Sequence, residues 1–387
     1  MVLIGNDRVD IIIVGGGVMG CSAAYQLAKD GQRVLLLEQF AIGNRYGSSH
    51  GASRLFRLAH TSTDYVKLAR TAYLLWRELE NESGEQLLQK AYGLDFGVTD
   101  IMDGIGGILQ DAGVPFEQLN RDEISKRFPQ FTLPKDTIGL YQDSYGLINA
   151  DRCVSVIATQ ARQRGVKIVE NQTVQSIRPV SDVVEVLTHG FTYRAGCVIL
   201  CAGSWMKPLM YMLNLDLPLT VRNEVVVYYQ PSDPVEWMPG RFPIFRHHLL
   251  GADARWGVGF PIFGQSGVKM VLDCTGPIVD PSDPDRTPDQ AVVGRIRAYA
   301  SGILPTLGDH IIEAETCRYT MTPDEDFIID HHPAYQQVVV ASPCSGHGFK
   351  FAPLIGRILA DLAVSGKTKY PIGRFRLGRP GLTDRTG

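Results

Sequence analysis

The sequence predicts an α/β protein, α+β when counted as a whole. It has a mostly parallel sheet flanked by helices and a second, mixed β-sheet region set into it. Three observations predict this. Residues 10–38 read as strand, glycine turn, helix and strand; a strand followed by small residues and a helix recurs near 197–205 and 338–364; and between 217 and 312 the pattern changes to alternating β segments rich in aromatics and prolines.

Residues 10–14 read as a strand in which Asp10 is followed by the apolar run Ile11-Ile-Ile-Val14, of the kind found in strands buried on both faces. Gly15-Gly-Gly-Val-Met-Gly20 then turns the chain into a small-residue helix. Gly15 permits the tight turn, Gly17 lets the backbone approach a pyrophosphate, and Gly20 lets the helix pack close on the strand. The free N–H groups of the helix start, around Val18 and Met19, face the phosphates. A second strand ends in Glu38, with Gln39 beyond it. A carboxylate at that tip accepts hydrogen bonds from both ribose hydroxyls and repels the additional phosphate of NADP. With strand, helix and acid in place, the motif reads as a Rossmann-like site for the adenosine diphosphate half of NAD or FAD.

Residues 43–54 are too rich in glycine and serine for a routine connection and read as a binding loop, with Ser48, His50 and Ser53 on it. The spacing of Val66, Leu68, Ala69, Ala72, Leu75 and Trp76 predicts a helix over 63–82. Short strands and helices are expected to alternate over 85–148, one segment being 121–128. Asp151 is placed to cap a helix that runs to Arg164 and stops at Gly165. Strands at 166–170, 183–188 and 197–201 follow, with Val174 between the first two. The last opens into Ala202, Gly203, Ser204 and Trp205, a second place for backbone to approach a cofactor. Segments 224–229 and 268–272 belong to a sheet that would roof a substrate, and α/β character returns from Phe327 with a strand at 338–341, a loop at 342–348 and a helix at 351–364. A cofactor domain of 1–84, 146–215 and 316–387 and a substrate domain of 85–145 and 216–315 follow from this division.

Composition narrows the function classes. Apolar residues at 44% and charged residues at 20% are those of an ordinary globular protein. A net charge of −3 gives no broad attraction to nucleic acid or anionic lipid, so neither is an expected partner. The apolar run at 11–14 is too short to span a bilayer and lacks the flanks of a leader. Seven scattered cysteines predict reduced thiols, and their spacing suggests no metal site. The final Asp384-Arg-Thr-Gly387 is not a peroxisomal address, which leaves the cytoplasm as the expected location.

A nicotinamide dehydrogenase would use the first unit but has no need of Ser345-Gly-His-Gly-Phe-Lys-Phe351. There Gly346 and Gly348, at a helix start, supply N–H groups and a dipole suited to a flavin whose reduced form is negative, and Lys350 adds a cation. FAD is therefore the expected cofactor. With these residues the chain resembles the monomeric sarcosine oxidase family, which includes N-methyltryptophan, L-pipecolate and fructosyl amino acid oxidases and has a D-amino acid oxidase-like fold. The resemblance is collinear over essentially the whole chain. It is carried by the first glycine turn, by Gly47-Ser-Ser-His-Gly-Ala-Ser-Arg-Leu-Phe-Arg57, by Gly259-Phe-Pro-Ile-Phe-Gly264 with Lys269, by Cys317-Arg-Tyr-Thr-Met-Thr-Pro-Asp-Glu-Asp-Phe-Ile-Ile-Asp330 and by Ser345 to Phe351.

The resemblance implies that Cys317 joins covalently to the flavin 8α-methyl. Attack needs a thiolate and hence nearby positive charge, and Arg318 is adjacent in sequence; without the motif, a lone cysteine reads as an inert buried thiol. It also implies that Arg57 and Lys350 grip a substrate carboxylate, that Arg54 lies beside the flavin, and that Tyr319 lines the pocket. Lys269 would speed reaction with oxygen by stabilising nascent superoxide. His50, Ser53 and His347 are implied as contacts near the cofactor and not as bases. Spacing alone would put Arg54 and Arg57 on one side of a helical turn. In sarcosine oxidase a tyrosine stands at the position of Val258 and a histidine at that of Asp273. Val258 predicts a roomier, more apolar pocket, with Trp256 and residues 245–249 adding bulk nearby.

The implied reaction is oxidation of a secondary amino acid, N-methyl or cyclic, to an imine that water hydrolyses, with O2 reduced to hydrogen peroxide. The implied state is a monomer, with a dimer left open. A pipecolate- or proline-type or fructosyl amino acid substrate, a dehydrogenase with another acceptor, and a flavin-binding module without turnover are alternatives at this stage.

Overall fold

The strand Val9–Val14 sits in the middle of a nine-stranded sheet in the computed structural model, which describes residues 3–4, 9–249 and 254–383. The C-terminal tetrapeptide on which the address reading rests lies outside them. Val34–Leu37 and Phe191–Leu200 flank Val9–Val14 in parallel, and Lys167–Val169 and Tyr335–Ser342 lie beyond, also parallel. Ile328–His332 closes one edge antiparallel. A parallel sheet must be covered on both faces. On one, helices Val18–Lys29, Ala150–Gln163 and Ala352–Ser365 pack against Ile11, Ile13, Leu36, Ile199 and Val339. A Cβ on Gly356 would lie 2.5 Å from the Ser22 carbonyl carbon, so a glycine is what lets two of these helices touch. On the other face, Val183–Thr188 pairs antiparallel with Phe191–Leu200 and Val174–Val180 pairs antiparallel with Val183–Thr188, and residues of these strands cluster with Ile12, Val14 and Leu35.

The second sheet is also nine-stranded. Along it run Ile311–Met321, Thr220–Tyr229, Val268–Leu272, Trp256–Phe260, Ile244–His248, Leu88–Val98, Thr137–Ile148 and Arg54–Phe56, with Glu117–Asn120 paired beside Thr137–Ile148. Helix Gln290–Ile303 packs into its aromatic core of Phe96, Phe131, Phe242 and Phe245. The sheet is strongly curled: Arg54, on its last strand, brings Nη2 within 3.7 Å of Cys317 Sγ on its first.

Several elements correct the expectation. The alternation expected over 85–148 includes two long antiparallel strands, Leu88–Val98 and Thr137–Ile148. Glycines mask them in sequence, yet Gly93 is filled by a neighbour, its absent Cβ being replaced by the Tyr145 ring 2.0 Å away. Val174–Val180 is a strand and not a connection. Asp151 is not the cap of its helix. Asn149 caps it, accepting from Arg152 N–H at 3.0 Å, while Asp151 Oδ1 accepts from Gly51 N–H at 2.8 Å and ties the helix to the binding loop. Arg54–Phe56 is extended and pairs with Thr137–Ile148, so Arg54 and Arg57 do not share a helical face. The strand Ile311–Met321 runs unbroken through position 316, and Cys317 reaches the cofactor side from the second sheet.

Candidate active site

Between the two sheets lies a cavity of about 710 Å³. Every candidate residue named from the sequence lines it except Gly20 and Ser53. Gly20 sits behind the turn: a Cβ there would be 1.9 Å from the Gly15 carbonyl oxygen, and Gly15 itself has φ +108° with its own Cβ position 2.5 Å from Cys201 O. These glycines shape the wall and do not face the cavity through side chains. Ser53 is buried behind Lys269 and serves it as an acceptor.

At one end Val18 opens its helix, and its N–H donates to Ser49 Oγ at 3.0 Å. Ser49 was not singled out from the sequence; its place in a Gly-Ser-Ser run was the available signal. The next N–H groups belong to the first turn, which has no intrahelical acceptors. Glu38 is 5% exposed, with one carboxylate oxygen accepting from Gly16 N–H at 2.6 Å and the other from Phe40 N–H at 2.9 Å. Burial pushes its pKa up against those bonds. Each oxygen keeps a lone pair for a ribose hydroxyl. Gln39, Val174, Ala202, Gly203 and Trp205 complete this end.

Further in, Arg54 is held by carbonyls. Its Nη2 donates to His50 O at 2.5 Å and Ser48 O at 3.1 Å, and its Nη1 to Ser53 O at 2.8 Å. Ser48 Oγ in turn donates to the Arg318 carbonyl. Lys269 Nζ donates to Ser53 O at 3.0 Å and lies 4.8 Å from the Phe260 ring centroid. Burial, then the Arg54 charge, lowers its pKa to about 7. Cys317 is buried, which pushes its thiol up; Arg54 and Lys269 act in the opposite direction. The cations beside the thiol are thus these two and not Arg318, whose guanidinium turns away to the carbonyls of Pro281 and Asp283. Only the curled sheet could show this.

The pocket beyond is lined by Arg57, Tyr319, Lys350 and a residue whose charge sequence reading passed over, Arg246. Lys350 Nζ donates to His347 O at 2.9 Å, and burial, then Arg57 and Arg246, pushes its pKa far down. Tyr319 packs its ring over Gly346, which has φ +77°, where a Cβ would lie 2.8 Å from the ring. Gly348 is as tightly placed, a Cβ lying 2.0 Å from Pro343 O. His347 is neutral, its pKa pushed down by burial and Lys350, and its Nε2 bonds to Glu325 O at 3.1 Å.

The residues fit FAD. Both ring nitrogens of His50 and Nδ1 of His347 are buried without a partner among the described residues, and both side chains line the cavity. Buried polar atoms are nearly always bonded, so these call for a polar ligand. His50 stays neutral, burial and then Arg54 lowering its pKa to about 3.

Glu224, opposite Cys317 in the strand register, is wholly buried, and its pKa is raised to about 7 by burial and then by Asp273. A carboxyl whose pKa is raised in the fold stabilises below its unfolded pKa and loses that contribution as pH rises through about 7. Glu224→Gln is therefore expected to unfold near the wild-type midpoint at pH 5 and to be the more stable protein at pH 8, by on the order of 3 kcal/mol. Thermal or urea unfolding at the two pH values checks it; a pH-independent difference would sink it.

Comparison with known proteins follows the same lines. The chain is 35% identical over 377 residues to a monomeric sarcosine oxidase of Streptomyces avermitilis, covering 95% of this chain and 96% of the relative. It is 30% identical over 379 residues to an N-methyl-L-tryptophan oxidase of Escherichia coli, covering 96% and 99%. Among solved structures it resembles the open form of NikD, an unusual amino acid oxidase essential for nikkomycin biosynthesis, with a TM-score of 0.85 and 28% identity over 96% of this chain and 98% of that one. Residues 10–362 match the profile of the FAD dependent oxidoreductases, and the chain belongs to that family.

Proposed function

We propose that this enzyme oxidises a secondary amino acid to an imine, which water then hydrolyses, and that O2 is the electron acceptor. One observation carries it: the Arg57 guanidinium is buried at the cavity wall beside Lys350, makes no hydrogen bond or ion pair to protein among the described residues, and shares the cavity with Lys269 and Cys317. A buried, unpaired guanidinium is costly unless an anion reaches it. A carboxylate docked there meets the guanidinium fork and restores the charge of Lys350. The relatives' names point the same way, sarcosine and N-methyltryptophan both being secondary amino acids.

FAD, held by the glycine turn, Glu38, His50, Arg54 and the 345–350 loop, would supply the two-electron chemistry. The protein's share is position and charge. Arg57 and Lys350 orient the substrate, Tyr319, Val258 and Phe260 crowd it and exclude water, and Lys269 places a cation where oxygen acquires negative charge. No side chain is needed as a base if the amine binds neutral. Anaerobic addition of N-methyl and cyclic amino acids to holoenzyme should bleach the flavin absorbance, and air should restore it with one peroxide formed per turnover. If no secondary amino acid bleaches it, the proposal fails.

Covalent attachment through Cys317 is part of the same proposal, supported by the two cations beside a buried thiol. Acid-precipitated wild type should retain its yellow colour and Cys317→Ala should release it. Release from both would end the thioether assignment.

A further inference from the structure

The cavity carries more buried positive charge than one carboxylate accounts for. Arg57, Arg246 and Lys350 are 5%, 7% and 3% exposed and all line it. The carboxylates that line this part of the cavity are paired elsewhere, Asp324 with Arg379 and Asp326 with Arg374. Asp273 and Glu325 are both taken by Arg255, the first at 2.6 Å. Asp95, wholly buried, accepts from the Tyr145 hydroxyl and bonds His248 Nε2 at 2.8 Å. It is left to act on both Arg57 and Arg246, and among the described residues it forms an ion pair with neither. Asp273, though paired with Arg255, also acts on Arg246, and among the described residues no carboxylate forms an ion pair with Arg57, Arg246 or Lys350. A bound monoanion reduces that excess without removing it.

Arg246 is built to hold a ligand. It lies on the strand Ile244–His248 beside Asp95 in register, and its guanidinium stacks 3.7 Å from the Trp256 ring centroid. Trp256 also carries Arg255, at 4.2 Å. Stacking holds the guanidinium plane and leaves its in-plane N–H groups for an acceptor. No protein atom among the described residues accepts from them, and the buried Nε has no partner. Burial and the Arg57 charge both disfavour the cation here, so a structural role alone would leave the position costly.

We propose that Arg246 anchors a second anionic group of the substrate, so that the preferred substrate is a secondary amino acid with two carboxylates. This rests on the reading in which Arg57 and Lys350 hold the α-carboxylate. The side-chain or N-linked carboxylate would reach the Arg246 edge and bring the pocket close to neutrality.

The test uses holoenzyme and two readouts. Thiodiacetate and (methylthio)acetate, thioethers without an oxidisable amine, are titrated by calorimetry. N-methyl-L-aspartate and N-methyl-L-glutamate are compared with N-methyl-L-alanine by kcat/KM. Wild type should bind the dianion at least roughly 10-fold more tightly and prefer an N-methyl dicarboxylate, the gain appearing in KM. Arg246→Gln should reduce that preference by about 30-fold or more, the scale of losing one buried charged partner, and Arg246→Lys should restore part of it. Absence of a dicarboxylate preference in wild type, or an equal loss for both classes in Arg246→Gln, overturns the assignment. If monocarboxylates turn over in such a case, the second anchor alone is wrong; if no secondary amino acid of either class is oxidised and neither thioether binds, the underlying reading falls with it.

Discussion

Lys269→Met is expected to slow oxygen uptake by about 10²–10³-fold while the anaerobic bleaching of flavin by substrate proceeds near the wild-type rate. The magnitude is that of removing one preorganised charge from a dry site. Lys269 meets that description: it is buried, held by Ser53 O and Oγ, and beside Arg54 and Cys317. The pH dependence supplies a second, independent sign. With a pKa near 7 the ammonium is present below that pH and is lost as pH rises through it. The wild-type oxygen rate should fall correspondingly, and the methionine variant should lack that step. Stopped-flow mixing of reduced enzyme with oxygen across pH 5.5–9 reads both, a range bracketing that pKa by roughly two units. A variant that reacts with oxygen as wild type does would remove Lys269 from the chemistry.

Arg57→Gln should lower kcat/KM for any carboxylate-bearing substrate by about 10²–10³-fold, chiefly through KM, because it removes a buried charged partner of the substrate. The same change should raise the unfolding temperature. Arg57 is 5% exposed, and burial pulls its pKa down with only the distant Asp95 opposing. Its charge therefore costs the empty enzyme stability that substrate binding recovers. Loss of affinity together with gained stability marks a functional cation. Loss of both would mean that Arg57 holds the fold.

The cofactor end was legible in the sequence because its determinants are local. A tight turn at Gly15, a helix start at Val18 and an acid at the next strand's tip lie within 29 residues, and each acts on its neighbours through backbone geometry. The strands 183–188 and 268–272 were legible for a related reason: short runs rich in β-branched and apolar residues, broken only by Glu185 and Lys269, favour the extended conformation. The spacing of Arg54 and Arg57, which on a helical turn would face them the same way, misled because extended pairing with Thr137–Ile148 is a contact with residues 90 to 94 positions away. The cap of the helix Ala150–Gln163 was misplaced by two residues, since the acid nearest the helix start was needed by Gly51.

Sequence alone thus determined the nucleotide-binding unit, carried by residue type at short spacing, while the likeness to amino acid oxidases, which drew attention to the cations at 54, 57, 269 and 350, was carried by motifs in matching order along the whole chain. The tertiary structure decided which charges meet. Curling of the second sheet sets Arg54 and Lys269 beside Cys317 and sends Arg318 away, and it adds Arg246 to the substrate pocket from a strand that carried no motif. Electrostatic interaction falls with distance through space and takes no account of separation along the chain. A site made of charge is therefore settled only when the strands that carry it are paired.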